Sequence, residues 1–183
     1  MKKIKLGVIG TGMAWERLHY PAIQELSDKY EVAALTNRTK RDAEEFAKKI
    51  GLDMSNVYDD YNEMLKRKDL DAIDILVPIE LNFEISEAAA RAGFDFICEK
   101  PLAPDMEQAE KYLDMHRKHK VKIMIAENFR YNEENSKIKE IIDQKKIGDV
   151  EDFLNSLKTK VIVEFSNDFT IPRIAQLTQK TNQ

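Results

Sequence analysis

The sequence is poor in the features that would place it among secreted, membrane or disulfide-rich proteins. Cys98 is its single cysteine, so no disulfide can form within the chain. It has no apolar run of the roughly 18 residues that span a bilayer, and Met1 leads through two lysines into a strand-like segment, not into the apolar core of a signal peptide. We therefore expect a cytoplasmic protein that does not enter a membrane, with Cys98 buried as a small hydrophobic residue.

The chain also lacks an excess of positive charge. Its 29 Lys and Arg residues are outnumbered by 33 Asp and Glu residues, and the two signs are interspersed. Binding to DNA or RNA depends on a basic surface that releases counterions, so we expect no nucleic-acid partner. Hydrophobic residues at 43% and charged residues at 34% are typical of a globular protein with its own core.

What remains is a regular alternation of apolar and amphipathic segments. The apolar segments that predict strands are Ile4–Ile9, Glu31–Thr36, Val57–Tyr58, Asp71–Val77, Phe94–Cys98 and Lys122–Ala126. Helical spacing is found over Met13–Leu26, Asp42–Ile50, a segment through Tyr61, Phe83–Ala92 and Asp105–His119. Because a connection between parallel strands needs a helix to return the chain, this alternation predicts an α/β domain with a doubly wound parallel sheet over residues 1–129.

Residues 130–183 follow a different pattern and form the second predicted domain. Asn135–Lys145 reads as a polar helix, Val150–Leu154 and Lys160–Phe165 as strands, and Pro172–Thr181 as a last helix. We interpret this part as a short, incomplete α+β appendage, truncated or hybrid in origin.

The first predicted helix follows directly on the first strand. Ala14, Leu18, Ala22 and Leu26 recur every four residues, which predicts the face that packs on the sheet. Trp15 lies outside that face. Its ring either walls a cofactor pocket or packs against a loop, and the second outcome is the more common one for a large apolar side chain.

A Gly-x-Gly turn joins that strand to that helix. Gly10 and Gly12 would allow a tight turn and a close approach of a phosphate to the backbone N–H groups of Met13 and Ala14 at the start of the helix. Trp15 stands where a complete G-x-G-x-x-G pattern has its third glycine. A turn that serves only packing is the alternative, but the strand, turn, helix and second strand together favour a dinucleotide site.

The residues after the second strand bear on the choice of cofactor. Asn37, Arg38 and Thr39 stand where an acidic residue would bind the ribose of NAD, and Lys40 and Arg41 follow them. An arginine in this place accommodates the 2′-phosphate of NADP. We therefore predict NADP(H) in preference to NAD(H), with solvated surface cations as the alternative explanation of this charge.

Glu99, Lys100 and Pro101 follow the fifth strand, at the edge of the sheet where ligands of doubly wound proteins gather. An ammonium group there can donate to a substrate oxygen or exchange a proton. We place Glu99 and Lys100 in the cofactor and substrate site. A structural ion pair between Lys100 and Glu99 or another carboxylate is the alternative.

Several segments, in this order and spacing, resemble a known family: GTGMAWERLHYPAI, DAIDILVP, AAARAGFDFICEKPLAPD and AENFRY. They are similar to the N-terminal half of the Gfo/Idh/MocA family of NAD(P)-dependent oxidoreductases, over residues 3–153. The resemblance implies a Rossmann fold and hydride transfer between the nicotinamide C4 and a secondary alcohol carbon. The alcohol is usually part of a sugar, an inositol or a nucleotide-sugar.

The resemblance also implies roles for individual residues. Lys100 would be the catalytic or substrate-orienting lysine, and the peptide bond that follows it would be cis. Pro78 would lie beside the nicotinamide and Asn128 near the substrate. Asn82 stands where the family often has histidine, so that contact with the cofactor must either differ or be supplied by the Asn82 amide.

The sequence departs from the family after its first half. Family members continue into an antiparallel sheet domain that supplies the substrate pocket, most dimer contacts and an Asp-x-x-x-His pair. None of the three histidines, His19, His116 and His119, stands where that pair would be, and we predict each to be a surface or packing residue. Residues 152–183 instead resemble a segment of FkbH-type proteins, relatives of haloacid dehalogenase enzymes, from which no activity carries over because their catalytic aspartate motif is absent.

These observations leave three hypotheses. The first is an NADP-dependent oxidoreductase of sugar-like substrates, and the second is a dinucleotide-binding module that turns over little or no substrate. The third is a structural or regulatory protein that assembles through an exposed sheet edge. For any of them we expect self-association into a homo-oligomer through an exposed apolar face.

Overall fold

The described part of the chain, residues 2–145 of a computed structural model, is built on a parallel sheet. Its strands are β1 (Ile4–Ile9), β2 (Tyr30–Thr36), β3 (Val57–Tyr58), β4 (Ala72–Ile75), β5 (Asp95–Cys98) and β6 (Ile123–Ile125). Every neighbouring pair is parallel, and the spatial order is β3-β2-β1-β4-β5-β6. This confirms the predicted doubly wound sheet and places the switch point of the chain between β1 and β4.

A helix lies between each pair of successive strands, and one more described helix follows the last strand. These helices are α1 (Tyr20–Glu25), α2 (Lys40–Ile50), α3 (Tyr61–Met64), α4 (Ile79–Arg91), α5 (Met106–His119) and α6 (Glu133–Lys145). The start of α5 is the one predicted from its cap, because the Asp105 carboxylate accepts the N–H of Gln108 at 2.8 Å. α4 begins at Ile79, four residues before the predicted Phe83, directly after Pro78, whose φ of -53° and ψ of 144° lie outside the helical region.

Two hydrophobic clusters lie on the sheet. One joins Val8 and Leu35 of the central strands to Trp15 and to Phe46 on α2. The other contains Ile9 of β1 and Ala34 of β2, packed with the buried residues of α3, α4 and α5. Neighbouring residues of β1 and of β2 are buried in different clusters, which explains why these two strands read as nearly continuous apolar runs.

The first helix is not the regular one that the spacing predicts. Residues Trp15–His19 form a π-helical turn, in which the N–H of Tyr20 donates to the carbonyl of Trp15. The wider turn shifts the buried face, so that the predicted Leu18 is 59% exposed while Trp15 is fully buried. The Trp15 ring packs against Tyr20 and Phe46 at centroid distances of 5.7 and 5.8 Å, which agrees with the packing alternative for this residue.

The chain separates into two compact units, one up to Asn128 and one from Phe129 onward. Within the second unit α6 is capped by Asn132, whose side-chain oxygen accepts the N–H of Glu134 at 2.9 Å. The strands and helix predicted between residues 150 and 181 lie outside the described residues. No helix among the described residues combines the length and apolar character needed to cross a membrane.

Candidate functional site

Gly10 closes β1 against the neighbouring strand in a way that no other residue allows. Its φ is +101°, and a Cβ built on it would lie 2.1 Å from the carbonyl oxygen of Leu76. Its N–H donates to the Thr36 carbonyl at 2.9 Å. Gly10 therefore holds the end of β1 between β2 and β4, and its absent side chain serves packing.

Gly12 has the opposite surroundings. A Cβ there would meet no atom within 4 Å, so its backbone faces open space. The N–H of Glu16 donates to the Gly12 carbonyl at 3.0 Å, which marks the start of the helical bonding. The N–H groups of Met13 and Ala14 precede the first donor of the helix and have no partner inside it. An open approach to unpaired N–H groups is the arrangement that a pyrophosphate needs.

The end of β2 is tied to this turn by one side chain. Nδ2 of Asn37 donates to Thr11 Oγ1 at 3.0 Å, and Oδ1 of Asn37 accepts the N–H of Arg38 at 2.9 Å. Thr11 is buried, so the bond lies beneath the turn. Asn37 thereby sets the spacing between the glycine turn and Arg38.

The three cations after β2, Arg38, Lys40 and Arg41, differ in whether a carboxylate lies beside them. Lys40 pairs with Asp59 at 3.1 Å, and Arg41 lies 3.6 Å from Glu45. The Arg38 side chain is exposed and enters no ion pair within residues 2–140. Arg38 is thus the cation of this group that an anionic ligand meets without breaking an existing pair.

The Lys100 turn, which comprises Glu99, Lys100 and Pro101, follows β5, and the Glu99 side chain binds its backbone. Oε2 of Glu99 accepts the N–H of Lys100 at 2.9 Å, and the Glu99 N–H donates to the Ile75 carbonyl at 3.1 Å. The Lys100–Pro101 peptide is cis, as the family resemblance implied. The Lys100 side chain is exposed, and in the described ranges its ammonium forms no ion pair with Glu99. The alternative of a structural Glu99–Lys100 pair does not describe this geometry.

Asn82 supports the same turn from α4. Its side chain is 2% exposed, and Nδ2 donates to the carbonyl of Pro101 at 3.1 Å and to that of Glu99 at 3.3 Å. The turn uses only the amide nitrogen of Asn82, since Oδ1 is buried and has no hydrogen-bond partner among the described residues. The structure therefore gives Asn82 a supporting position behind the site. The contact of this amide with a cofactor stays a prediction.

His19 is the residue that the sequence reading missed. Its Nδ1 lies 2.8 Å from Asp74 Oδ2, and its Nε2 lies 3.0 Å from Glu99 Oε1. The prediction of a surface or packing histidine was wrong, because the ring joins the first helix, β4 and the Lys100 turn. A signal was present in the sequence, since Asp74 lies inside the apolar run DAIDILV and a buried carboxylate requires a partner.

The charges of this cluster are coupled. Burial lowers the pKa of His19, but the hydrogen bonds and charges of Asp74 and Glu99 outweigh burial and raise that pKa above its ordinary value. Burial also raises the pKa of Asp74. Each ring nitrogen faces a different carboxylate, and the described part of the chain contains no group of three or more such side chains placed to hold a metal ion.

The remaining predicted residues follow the carboxyl ends of other strands. Thr39 precedes α2, Pro78 follows β4, and Asn128 follows β6, and all three are exposed. Because every strand of the sheet is parallel, these positions share one edge with Gly12 and Lys100. The residues present at this edge fit a dinucleotide: open N–H donors, a free arginine and an exposed lysine.

Comparison with known proteins agrees with this geometry. A family model described as an oxidoreductase family with an NAD-binding Rossmann fold, Gfo/Idh/MocA, matches residues 4–127. The solved structure of an oxidoreductase from Thermotoga maritima superposes with a TM-score of 0.73 at 42% identity, over 81% of this chain and 45% of that one.

Two further matches come from Actinomadura kijaniata. A dTDP-3,4-didehydro-2,6-dideoxy-alpha-D-glucose 3-reductase is 30% identical over 84% of this chain and 45% of its own length. A 3-ketoreductase solved with NADP and TDP-benzene has a TM-score of 0.68 at 29% identity, over 78% of this chain and 43% of that one. The chain spans about two fifths of the length of the curated relatives it matches, between 38% and 41% for three of them.

Proposed function

The chain belongs to the Gfo/Idh/MocA family of oxidoreductases with an NAD-binding Rossmann fold, and from this premise we propose that it binds NADP(H) and takes part in hydride transfer on a sugar-like alcohol or ketone. The substrate class is a sugar, an inositol or a nucleotide-sugar. The dTDP-sugar reductase among its relatives supports this class. Cys98 as a free buried thiol agrees with a reducing, cytoplasmic setting.

The observation that carries the proposal is the shared edge of Gly12 and Lys100. Gly12 follows β1 and Lys100 follows β5, on the two sides of β4 and of the switch point where doubly wound sheets bind dinucleotides. In the bound state the nicotinamide would supply the hydride acceptor or donor. The part of Lys100 is to donate a hydrogen bond, or a proton, to the oxygen of the carbon that changes oxidation state.

Arg38 supports the preference for NADP(H). A guanidinium without an internal carboxylate partner can form a bidentate pair with a 2′-phosphate at no cost in existing bonds. Arg38→Ala should weaken NADPH binding by about tenfold to a hundredfold, the usual value of a hydrogen bond to a charged group, and leave NADH binding nearly unchanged. Arg41→Ala is the matched control, since Arg41 is a neighbouring exposed cation that already has a carboxylate partner. Equal losses for both cofactors would remove Arg38 from this role.

The catalytic part of the proposal is tested with Lys100→Met, which keeps the apolar stem and removes the charge. Purified chain is titrated with NADPH and NADH, then assayed with a panel of sugars, inositols and nucleotide-sugars by nicotinamide absorbance. We expect loss of turnover with cofactor affinity retained. Lys118→Met on α5 is the control, an exposed lysine away from the site. Unchanged turnover in Lys100→Met would exclude Lys100 from the chemistry.

A second candidate function is cofactor binding without turnover. It is favoured by the exposure of Pro78, Lys100 and Asn128, since turnover depends on excluding water from the reacting groups. The same assay separates the two functions, because a binding module shows cofactor affinity and no consumption of nicotinamide with any substrate. The comparisons do not show the FkbH-type resemblance of residues 152–183, and neither candidate function relies on it.

Self-association is the remaining part of the proposal. Met106 and Leu113, seven residues apart on α5, are 74% and 61% exposed and lie on the same side of that helix. Two large exposed apolar side chains on one face of the helix, two turns apart, favour contact with another copy. Sedimentation of the native chain and of Leu113→Lys tests this, with a lower mass for the variant as the expected result and identical masses as the contrary one.

A further inference from the structure

The Glu99 carboxylate connects the backbone of the Lys100 turn to the first helix. The Glu99 carboxylate has one oxygen on the Lys100 N–H at 2.9 Å and the other on His19 Nε2 at 3.0 Å. Neither oxygen can reorient without losing one of these bonds. The orientation of the Lys100 backbone is thereby linked to the imidazole of His19.

His19 is itself anchored from the opposite direction. Its Nδ1 contacts both oxygens of Asp74, at 2.8 and 3.1 Å, and Asp74 is 3% exposed in the middle of β4. The ring is therefore a rigid spacer between a fixed strand and the Lys100 turn. When both carboxylates are ionised, only the doubly protonated ring can donate to both.

We propose that His19 is a positioning residue for Lys100, which acts through the Glu99 carboxylate and holds the lysine at the orientation that the reaction needs. Reaction geometry is demanding, since a displacement of about 1 Å can cost about a hundredfold in rate. This role rests on the proposed function for its consequence in turnover. The link from His19 to Lys100 through Glu99 is a property of the fold and can be measured without any substrate.

Two isosteric variants separate this role from a purely structural one. The amide nitrogen of glutamine reaches the place of Nε2, so His19→Gln keeps a donor toward Glu99 and loses the bond to Asp74. The amide nitrogen of asparagine takes the place of Nδ1, so His19→Asn keeps the bond to Asp74 and loses the one to Glu99. If His19 served only to tie the first helix to β4, His19→Gln would be more harmful than His19→Asn. The positioning role predicts the opposite, that His19→Asn is the more harmful of the two variants.

The primary measurement is hydrogen exchange of the Lys100 amide by NMR on the full 183-residue chain. In His19→Asn the Glu99 carboxylate loses its anchor, and we expect the Lys100 amide to exchange about tenfold faster than in the native chain, the scale of one lost hydrogen bond. In His19→Gln the rate should stay within about threefold of the native rate. Equal rates in the two variants, or the reverse order, would overturn the proposal.

His116→Asn is the matched control. His116 belongs to the same unit and its Nδ1 lies 2.6 Å from the carbonyl of Val121, but it has no connection to Glu99. Its substitution should leave the Lys100 amide unchanged, and a change there as large as in His19→Asn would show a general loosening of the fold and refute the specific link.

The native chain provides a second measurement in case His19→Asn does not fold. The charged groups that raise the pKa of His19 are the carboxylates of Asp74 and Glu99. Burial raises the pKa of the Cys98 thiol, and the same two carboxylates also raise it. Because the Lys100 N–H bonds the same carboxylate as the ring, its chemical shift should change with pH at the midpoint of the His19 ring signals. Different midpoints would contradict the link.

Cofactor titration and turnover on the same samples keep the two proposals distinguishable. Absence of NADPH and NADH binding in the native chain rejects the proposed function, whereas the Lys100 amide still decides the role of His19. Where turnover is found, His19→Asn should lower kcat by at least about tenfold with the KM for NADPH unchanged, and His19→Gln should restore much of it. A lower kcat together with an equally raised KM for NADPH would point to a disturbed cofactor site and against this role.

Discussion

The two glycines of the turn should fail in different ways when each is replaced by alanine. At Gly10 the new Cβ would lie 2.1 Å from the Leu76 carbonyl oxygen, which is backbone and cannot rotate away. At Gly12 it would meet nothing within 4 Å. One substitution therefore tests folding and the other tests ligand binding, although the residues are two positions apart.

The cost at Gly10 has two parts. A non-glycine residue at a φ of +101° is strained by about 1–3 kcal/mol, and relieving the contact with Leu76 requires a shift of β1 against β4 that costs about 1–3 kcal/mol as overpacking does. The sum, about 2–6 kcal/mol, is a large fraction of the stability of an ordinary domain. At about 2–4 °C per kcal/mol for a chain of this size, the melting temperature should fall by at least about 4 °C.

Gly12→Ala should melt within about 1 °C of the native chain, because no atom is displaced. Its new methyl group would stand in the open approach to the N–H groups of Met13 and Ala14. We expect NADPH and NADH binding to weaken by at least about tenfold, or about 1.4 kcal/mol.

The assay is thermal unfolding of the three chains without cofactor, followed by cofactor titration of those that remain folded. An unchanged melting temperature in Gly10→Ala would refute the packing account of that residue. Unchanged cofactor affinity in a folded Gly12→Ala would show that the pyrophosphate does not lie at this turn.

Further predictions concern the buried polar groups. His19 has a raised pKa, so its protonated form stabilises the fold fully below the unfolded value of about 6.5, and this contribution is lost as pH rises through the folded pKa. Burial also raises the pKa of Asp74, so its contribution likewise falls with rising pH, starting above its unfolded pKa of 3.8. The melting temperature of the native chain should therefore fall as the pH rises above about 6.5; a rise would contradict this sign. Asn82→Ala leaves the carbonyls of Glu99 and Pro101 without their donor and should lower the free energy of unfolding by about 2–4 kcal/mol in urea titrations. Burial raises the pKa of Cys98 to about 12, so iodoacetamide at pH 8 should alkylate it only after denaturant is added, and rapid labelling of the native chain would show that the thiol is accessible.

Much of the fold followed from local pattern. The six strands were placed within a few residues of their observed bounds, because strands buried on both faces are long apolar runs that few other elements produce. Helix ends marked by Asp105 and Gly51 were predicted because a cap acts through its nearest neighbours. Resemblance to a family added the importance of Lys100, which no periodicity could supply.

The first helix shows where local pattern failed. Spacing of four residues pointed to Leu18 and Leu26 as its buried face, but the π-helical turn moved Trp15 and Tyr20 into the core instead. A buried tryptophan removes more apolar surface from water than a leucine would, which favours this arrangement. This choice depends on residues distant in sequence, such as Phe46.

The sequence by itself determined the order of strands and helices, the glycine turn and the positions after each strand, since all of these depend on residues close together in the chain. Only the tertiary structure decided that Gly10 serves packing while Gly12 faces open space, and that His19 lies between Asp74 and Glu99. It also decided that Lys40 is paired, whereas Arg38 has no ion pair with any described residue. The reason is physical. Asp74 and Glu99 are 55 and 80 residues from His19. The parallel pairing of β1 with β4 and of β4 with β5 brings both carboxylates within hydrogen-bond distance of one ring.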